Sequence, residues 1–109
     1  MRLEMVEEVQ EADIIHLHWV GGIMHYPTSP CFLAGRPVVW TLHDMNPFTG
    51  GCHYAGNCMK YTTACGACPQ LGSDEHHDLA WNIWQQKSHA YSKIHPHIVA
   101  PSRWLAQCA

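Results

Sequence analysis

Cys52, Cys58, Cys65 and Cys68 follow one another with the spacing C-x5-C-x6-C-x2-C. Zinc takes soft or borderline ligands at tetrahedral corners, and a close C-x2-C pair supplies two of them from one turn. Gly66, inside that pair, permits the tight backbone such a knuckle needs. The gap between Cys52 and Cys58 exceeds the common spacing of about two to four residues, so three readings stay open. The first is a structural zinc site on the four cysteines, with His53 or His43 as a substitute ligand. The second is a set of small buried hydrophobes in a folded loop. The third is disulfide or redox chemistry, because C-G-x-C at a helix N-terminus lowers the first thiol's pKa. No strand leads into Cys65-Gly66-Ala67-Cys68, which weighs against a catalytic dithiol. Cys31 and Cys108 lie far from the cluster in sequence and have no assigned role.

Histidine is the other unusual residue, with ten copies. Two pairs matter most: His18-Trp19 and His43-Asp44, each closing an apolar run. In an open parallel sheet, ligands bind outside the carboxyl ends of the strands. If these runs are neighbouring parallel strands, His18, Trp19, His43 and Asp44 line one crevice. A His beside an Asp can orient a sugar hydroxyl or carry a proton. Trp19 can stack on a pyranose face, the alternative being a core indole. His76, His77, His89, His95 and His97 read as hydrogen-bonded core or surface residues without a chemical role, the first two at an exposed helix start.

The elements that must position these residues are legible as periods. Asp13–Trp19, Pro37–His43 and His97–Ala100 are near-continuous apolar runs, which suits parallel strands covered on both faces. Leu3, Val6 and Val9 mark a helix before the first of them. The longest helix is predicted from about Asp74 to Lys93, capped by Ser73, with Ala80, Ile83, Trp84, Lys87, Tyr91 and Ile94 on one stripe. Pro101-Ser102 starts a last helix over Arg103–Cys108. This order of elements is that of an α/β fold: a partial, Rossmann-like parallel sheet with flanking helices, in one domain over residues 1–109. Asp44–Gly72 has no clear period. Loops beyond ~12–15 residues are usually functional or disordered, so something must hold this one.

Composition limits the function classes. The chain has 109 residues, 47% of them hydrophobic and 14% charged, with six Lys/Arg against nine Asp/Glu and a net charge of −3. A nonspecific nucleic-acid binder needs a basic stripe to displace counterions, and none is present. No apolar run approaches the ~18–20 residues that span a bilayer. Met1–Glu11 carries Arg2 and four Glu, unlike a signal peptide. The chain therefore reads as soluble and cytoplasmic, with thiols rather than disulfides.

Several stretches carry a resemblance: Ala12–Trp19, Pro37-Val-Val-Trp-Thr-Leu-His-Asp44, Met45-Asn-Pro-Phe-Thr-Gly-Gly-Cys-His-Tyr54, Cys65-Gly-Ala-Cys-Pro-Gln-Leu-Gly72 and Ala100–Leu105. Together they resemble the N-terminal domain of family 4 glycosyltransferases, in the branch that includes colanic-acid-type polysaccharide enzymes. The likeness covers nearly the whole chain. It implies a GT-B architecture of two Rossmann-like domains facing a cleft, the N-terminal one holding the acceptor and the C-terminal one the nucleotide-sugar donor. Transfer in that family retains anomeric configuration without a divalent metal. His43 matches the family's strand-end histidine near the acceptor and the transferred sugar; His18 and Trp19 match the neighbouring strand end.

Departures from the family pattern shape the expectation. The family's first strand, its glycine-rich turn and the whole donor domain with its paired glutamates have no counterpart here. Pro27 and Pro30 interrupt the region where such enzymes carry a helix. The resemblance therefore implies a fragment of a retaining glycosyltransferase of polysaccharide biosynthesis, inactive alone. It would act on a saccharide or lipid-linked saccharide acceptor, with a nucleotide sugar as co-substrate, in the cytoplasm or at the inner membrane face. Apolar faces left bare would favour self-association. Two alternatives of other classes remain: a noncatalytic, zinc-stapled binding module, and a redox protein using Cys65 and Cys68.

Overall fold

The computed structural model describes residues 1–109. Three parallel strands form the sheet: β1 (Ile15–Leu17), β2 (Val38–Thr41) and β3 (His97–Val99), in the spatial order β1-β2-β3. Ile15 pairs with Val38 and Leu17 with Trp40, while Val39 pairs with His97 and Thr41 with Val99. The architecture is mixed α/β, as the order of elements indicates. Each predicted strand is present and shorter than its apolar run.

Helices connect the strands. A 3₁₀ turn at Leu3–Met5 and helix α1 (Glu7–Glu11) precede β1. Helix α2 (Ser29–Leu33) is one short turn between β1 and β2, with Pro30 in its first turn, where a missing N–H costs nothing. Glu4 ties the start of α2 to the N-terminus. Its carboxylate accepts from the Ser29 hydroxyl at 3.0 Å, and a backbone hydrogen bond holds its pKa below the ordinary value. Helix α3 (Leu79–Ile94) leads into β3, and α4 (Arg103–Cys108) follows it. The Ser102 hydroxyl caps α4 by accepting from Leu105 N–H at 3.1 Å.

The core is one cluster in which Ile15, Leu17, Val38, Trp40 and Leu42 of the sheet region meet Leu3, Leu33, Met45, Ile94 and Leu105. The predicted stripe of α3 faces inward: Ala80, Lys87 and Ile94 are buried, and Ile83, Trp84 and Tyr91 half-buried. Burial on both faces is approached only by β2, where Val38 and Trp40 are buried and Val39 and Thr41 half-buried. All of β3 is exposed, with Ile98 at 44% and Val99 at 41%. Helices α2 and α3 pack on each other, and β2 is the main neighbour of β3. No helix is long and apolar enough to cross a membrane.

The expected start of α3 is corrected. Ser73 does not cap it; the helix begins five residues later, at Leu79, behind Asp78. Residues 73–78 are instead drawn toward the cysteine-rich segment. Ala67 N–H donates to the Glu75 carbonyl at 2.7 Å. Asp78 then serves both sides at once, accepting from Trp81 N–H at 3.0 Å and from Cys68 N–H at 2.8 Å. These backbone donors, Cys68 first, hold its carboxyl below the ordinary 3.8.

That double cap gives a pH prediction. A carboxyl with a lowered folded-state pKa stabilises above its unfolded value, and the contribution is lost as pH falls through the folded one. Asp78→Ala should therefore lower the thermal midpoint at neutral pH, and the gap to the parent should close in acid. Circular dichroism melts across that range test this. A gap that persists unchanged in acid would show that the carboxylate charge does not matter.

Candidate functional site

Residues 44–72 are held rather than structureless. They form three 3₁₀ turns at Asn46–Phe48, Lys60–Thr62 and Pro69–Leu71. The main tether comes from α3. The buried Lys87 ammonium donates to the carbonyls of Asn46 at 2.5 Å and Thr49 at 2.9 Å. Burial lowers the Lys87 pKa from 10.5 to about 8, opposed by the nearby Cys52, Cys65 and Asp44. The buried Thr49 hydroxyl donates to the Cys52 carbonyl at 2.6 Å, and Trp84 Nε1–H donates to the Tyr61 carbonyl at 3.0 Å. A perturbed lysine is a functional candidate in principle; its carbonyl partners make Lys87 a tether here.

The strand-end residues do converge. His18 follows β1 and His43 follows β2 by one residue more, and the parallel register brings the two rings side by side. His18 Nδ1 and His43 Nε2 share a hydrogen bond at 3.0 Å. One ring must donate and the other accept, so the bond fixes paired tautomers and holds with at most one ring protonated. The fully buried Trp40 secures this end of β1 by donating from Nε1 to the His18 carbonyl at 2.9 Å. Below the pair, His16 Nε2 and Thr41 Oγ1 lie 2.8 Å apart, and the His16 and His18 rings are centred 4.3 Å apart. An exposed imidazole row thus runs along the carboxyl edge of β1 and β2.

Asp44 faces the other way and organises the loop. Its Oδ1 accepts from Asn46 N–H at 2.8 Å, and its Oδ2 meets His53 Nδ1 at 2.7 Å. The His53 ring in turn stacks on Trp19, with centroids 5.3 Å apart and planes at 27°. Trp19 is 55% exposed, so it is a surface platform and not a core indole. Gly21 makes room for it: a Cβ there would fall 2.6 Å from the Trp19 ring. A groove of 380 Å³ along β1 carries His16, His18 and Trp19 on its wall, opposite Val9 and Ala12.

His18, Trp19, His43 and Asp44 therefore belong to one edge, as the strand-end argument expects. The sequence reading missed His16 and Thr41, whose pairing needs the register. It offered His53 or His43 as a substitute metal ligand. Neither His53 nor His43 lines the thiol cavity; both are engaged at the strand edge. His76 and His77 are exposed, His77 stacking on Trp81 at 4.1 Å.

The four clustered cysteines do come together. Cys52, Cys58, Cys65 and Cys68 line one cavity of 350 Å³ with Tyr61, Ala80 and Ile83. All six cysteines are free thiols. Burial pushes the Cys65 thiol above its ordinary value, and the neighbouring Cys52, Cys58 and Cys68 add to the shift. A redox dithiol needs the opposite shift in its attacking thiol. Moreover, Cys68 is followed by a single 3₁₀ turn rather than an α-helix.

Fold and site together define a small parallel α/β protein with a histidine-rich edge at the strand carboxyl ends. In comparisons with known proteins, no family model, curated protein or solved structure matches this chain.

Proposed function

We propose that this chain is the acceptor-side part of a sugar transferase, binding a saccharide or lipid-linked saccharide at the carboxyl edge of β1 and β2. The observation that carries the reading is the hydrogen-bonded His18–His43 pair set beside an exposed, stacked Trp19. Saccharides present apolar ring faces and directional hydroxyls. An exposed indole suits the first, and imidazoles of fixed tautomer suit the second. With His43 Nε2 engaged by His18, His43 Nδ1 is left to meet one hydroxyl, as acceptor or donor according to the tautomer. His53, held by Asp44, stacks on the indole. In this reading the sheet is Rossmann-like, the nucleotide-sugar donor binds outside these residues, and His43 contacts the acceptor or the transferred sugar.

Titration of the isotope-labelled chain with a panel of neutral and acidic oligosaccharides tests it. Imidazole resonances of His18 and His43 and the indole resonance of Trp19 should shift together for at least one of them. Trp19→Ala and His43→Ala should each weaken that binding at least tenfold with little change in thermal midpoint, because both side chains are exposed. Gly21→Ala, which displaces the indole without removing it, should weaken it less. No response from any of the three rings across the panel would sink the reading.

A further inference from the structure

The thiol cavity is separate from the histidine edge and carries a proposal that does not rest on the saccharide reading. Cys52, Cys58 and the Cys65/Cys68 pair come from three stretches of the 44–72 segment, yet all four line one cavity together with residues of α3. The backbone is shaped for this approach. Gly50 N–H donates to Cys65 Sγ at 3.3 Å. A Cβ on Gly50 would fall 2.8 Å from the Cys65 Cβ and 2.3 Å from the Ala80 carbonyl oxygen. Gly66, between the C-x2-C pair, sits at φ 157°, and a Cβ there would fall 2.2 Å from the His76 carbonyl oxygen. An N–H aimed at sulfur gains strength when the sulfur is a thiolate.

Lys87 supplies an independent observation. It is 5% exposed, and its ammonium is met by two neutral carbonyls and the Tyr26 ring face. No carboxylate lies within ion-pairing distance of it; Asp44, hydrogen-bonded to His53, acts on it only from farther off. Buried charges are ordinarily paired or neutralised. Cys52 and Cys65 are the nearby thiols whose ionisation would favour the Lys87 charge, with Asp44 adding to their effect.

We propose that Cys52, Cys58, Cys65 and Cys68 bind one zinc ion as a tetrathiolate, with Lys87 as its buried counter-cation. On binding, four S–H protons leave to solvent, four Zn–S bonds form and no electron is transferred. The complex carries a charge of −2, near two lysines: Lys60, which lines the cavity and donates to the Gly66 and Ala67 carbonyls, and the buried Lys87 of α3. The residues fit the group in number, softness and backbone support. As they stand, no three side chains form a closed metal-ligand set, so binding includes rotation of thiols about χ1 and closure of the loop. Metal uptake then stiffens the segment that delivers His53 to Asp44.

The test uses the full chain, reduced and metal-free, titrated with cobalt(II) alone and then with zinc(II). Intense visible bands of tetrahedral cobalt thiolate should saturate at one ion per chain and vanish as zinc displaces it, with a higher thermal midpoint in the zinc form. Cys65→Ser and Cys68→Ser should weaken binding at least tenfold and alter the bands. Cys31→Ser and Cys108→Ser, outside the cavity, should leave bands and affinity unchanged. Lys87→Met should weaken cobalt binding while leaving the band positions in place. The proposal is overturned if the parent chain gives no tetrahedral thiolate bands, or if the Cys65 and Cys68 variants bind cobalt as the parent does.

Discussion

Replacing Trp40 with alanine is expected to remove a large share of the folding stability of this chain. Trp40 is 1% exposed and sits in the middle of the central strand. Its ring meets Tyr91 of α3 edge-on, with centroids 5.6 Å apart, so one side chain joins sheet and helix. Truncating a buried aromatic to alanine costs ~3–5 kcal/mol, against a total of ~5–15 kcal/mol for an ordinary domain. Chemical denaturation should show the midpoint collapse, with much of the chain unfolded in buffer. Trp40→Phe separates packing from polarity. It keeps most of the apolar volume but loses the indole N–H that holds the His18 carbonyl. That variant should fold, melt a few degrees lower, and weaken the His18–His43 pair, read as altered imidazole resonances. An alanine variant as stable as the parent would mean that the sheet–helix contact is not the centre of the core.

Gly50→Ala is the second substitution with a large expected effect, and it acts without removing any contact. The added methyl would stand 2.3 Å from the Ala80 carbonyl oxygen and 2.8 Å from the Cys65 Cβ. Neither neighbour is the free end of a flexible side chain, so the loop and α3 must part. Overpacking of this kind costs ~1–3 kcal/mol or more. The effect should be local as well as global: faster hydrogen exchange over the Lys87-bonded turn at 46–49 and greater reactivity of the cavity thiols. Gly56→Ala is the control. Its Cβ would meet nothing within 4 Å, leaving only the conformational cost of φ 60°, of order ~1–2 kcal/mol. Equal losses from the two would mean that crowding at Gly50 is relieved without moving the helix.

Lys87 shows how the two regions are coupled. The sequence places it on the apolar stripe of α3, where a lysine looks out of pattern. The structure gives it the carbonyls of Asn46 and Thr49. The same side chain therefore sets the loop that carries Asp44 and His53 on one side and the thiol wall on the other. Such a residue is invisible to periodicity, because its partners lie some forty positions away.

The sequence by itself determined the local pieces. Apolar runs of strand length, a three- to four-residue period in α3 and the Ser102 cap each depend on neighbours within a turn or two, so spacing alone reveals them. It also placed the chemically capable residues at strand ends, because an apolar run stops where the chain leaves the sheet. Tertiary structure decided the rest. Which histidines touch depends on the parallel register of β1 against β2, and a shift by one residue would put His16 and His18 on the other face. The true start of α3 depends on Asp78 finding Cys68 N–H, a partner ten positions back with no periodic trace. His53 stands beside Cys52 in sequence, and only the fold shows its ring engaged by Asp44 and Trp19. The exposure of β3 was likewise beyond the sequence, since hydrophobicity states what a strand prefers to bury and not which helix reaches it. Local free energies are written in composition and spacing, whereas pairings across the fold are settled by the competition for space and hydrogen-bond partners.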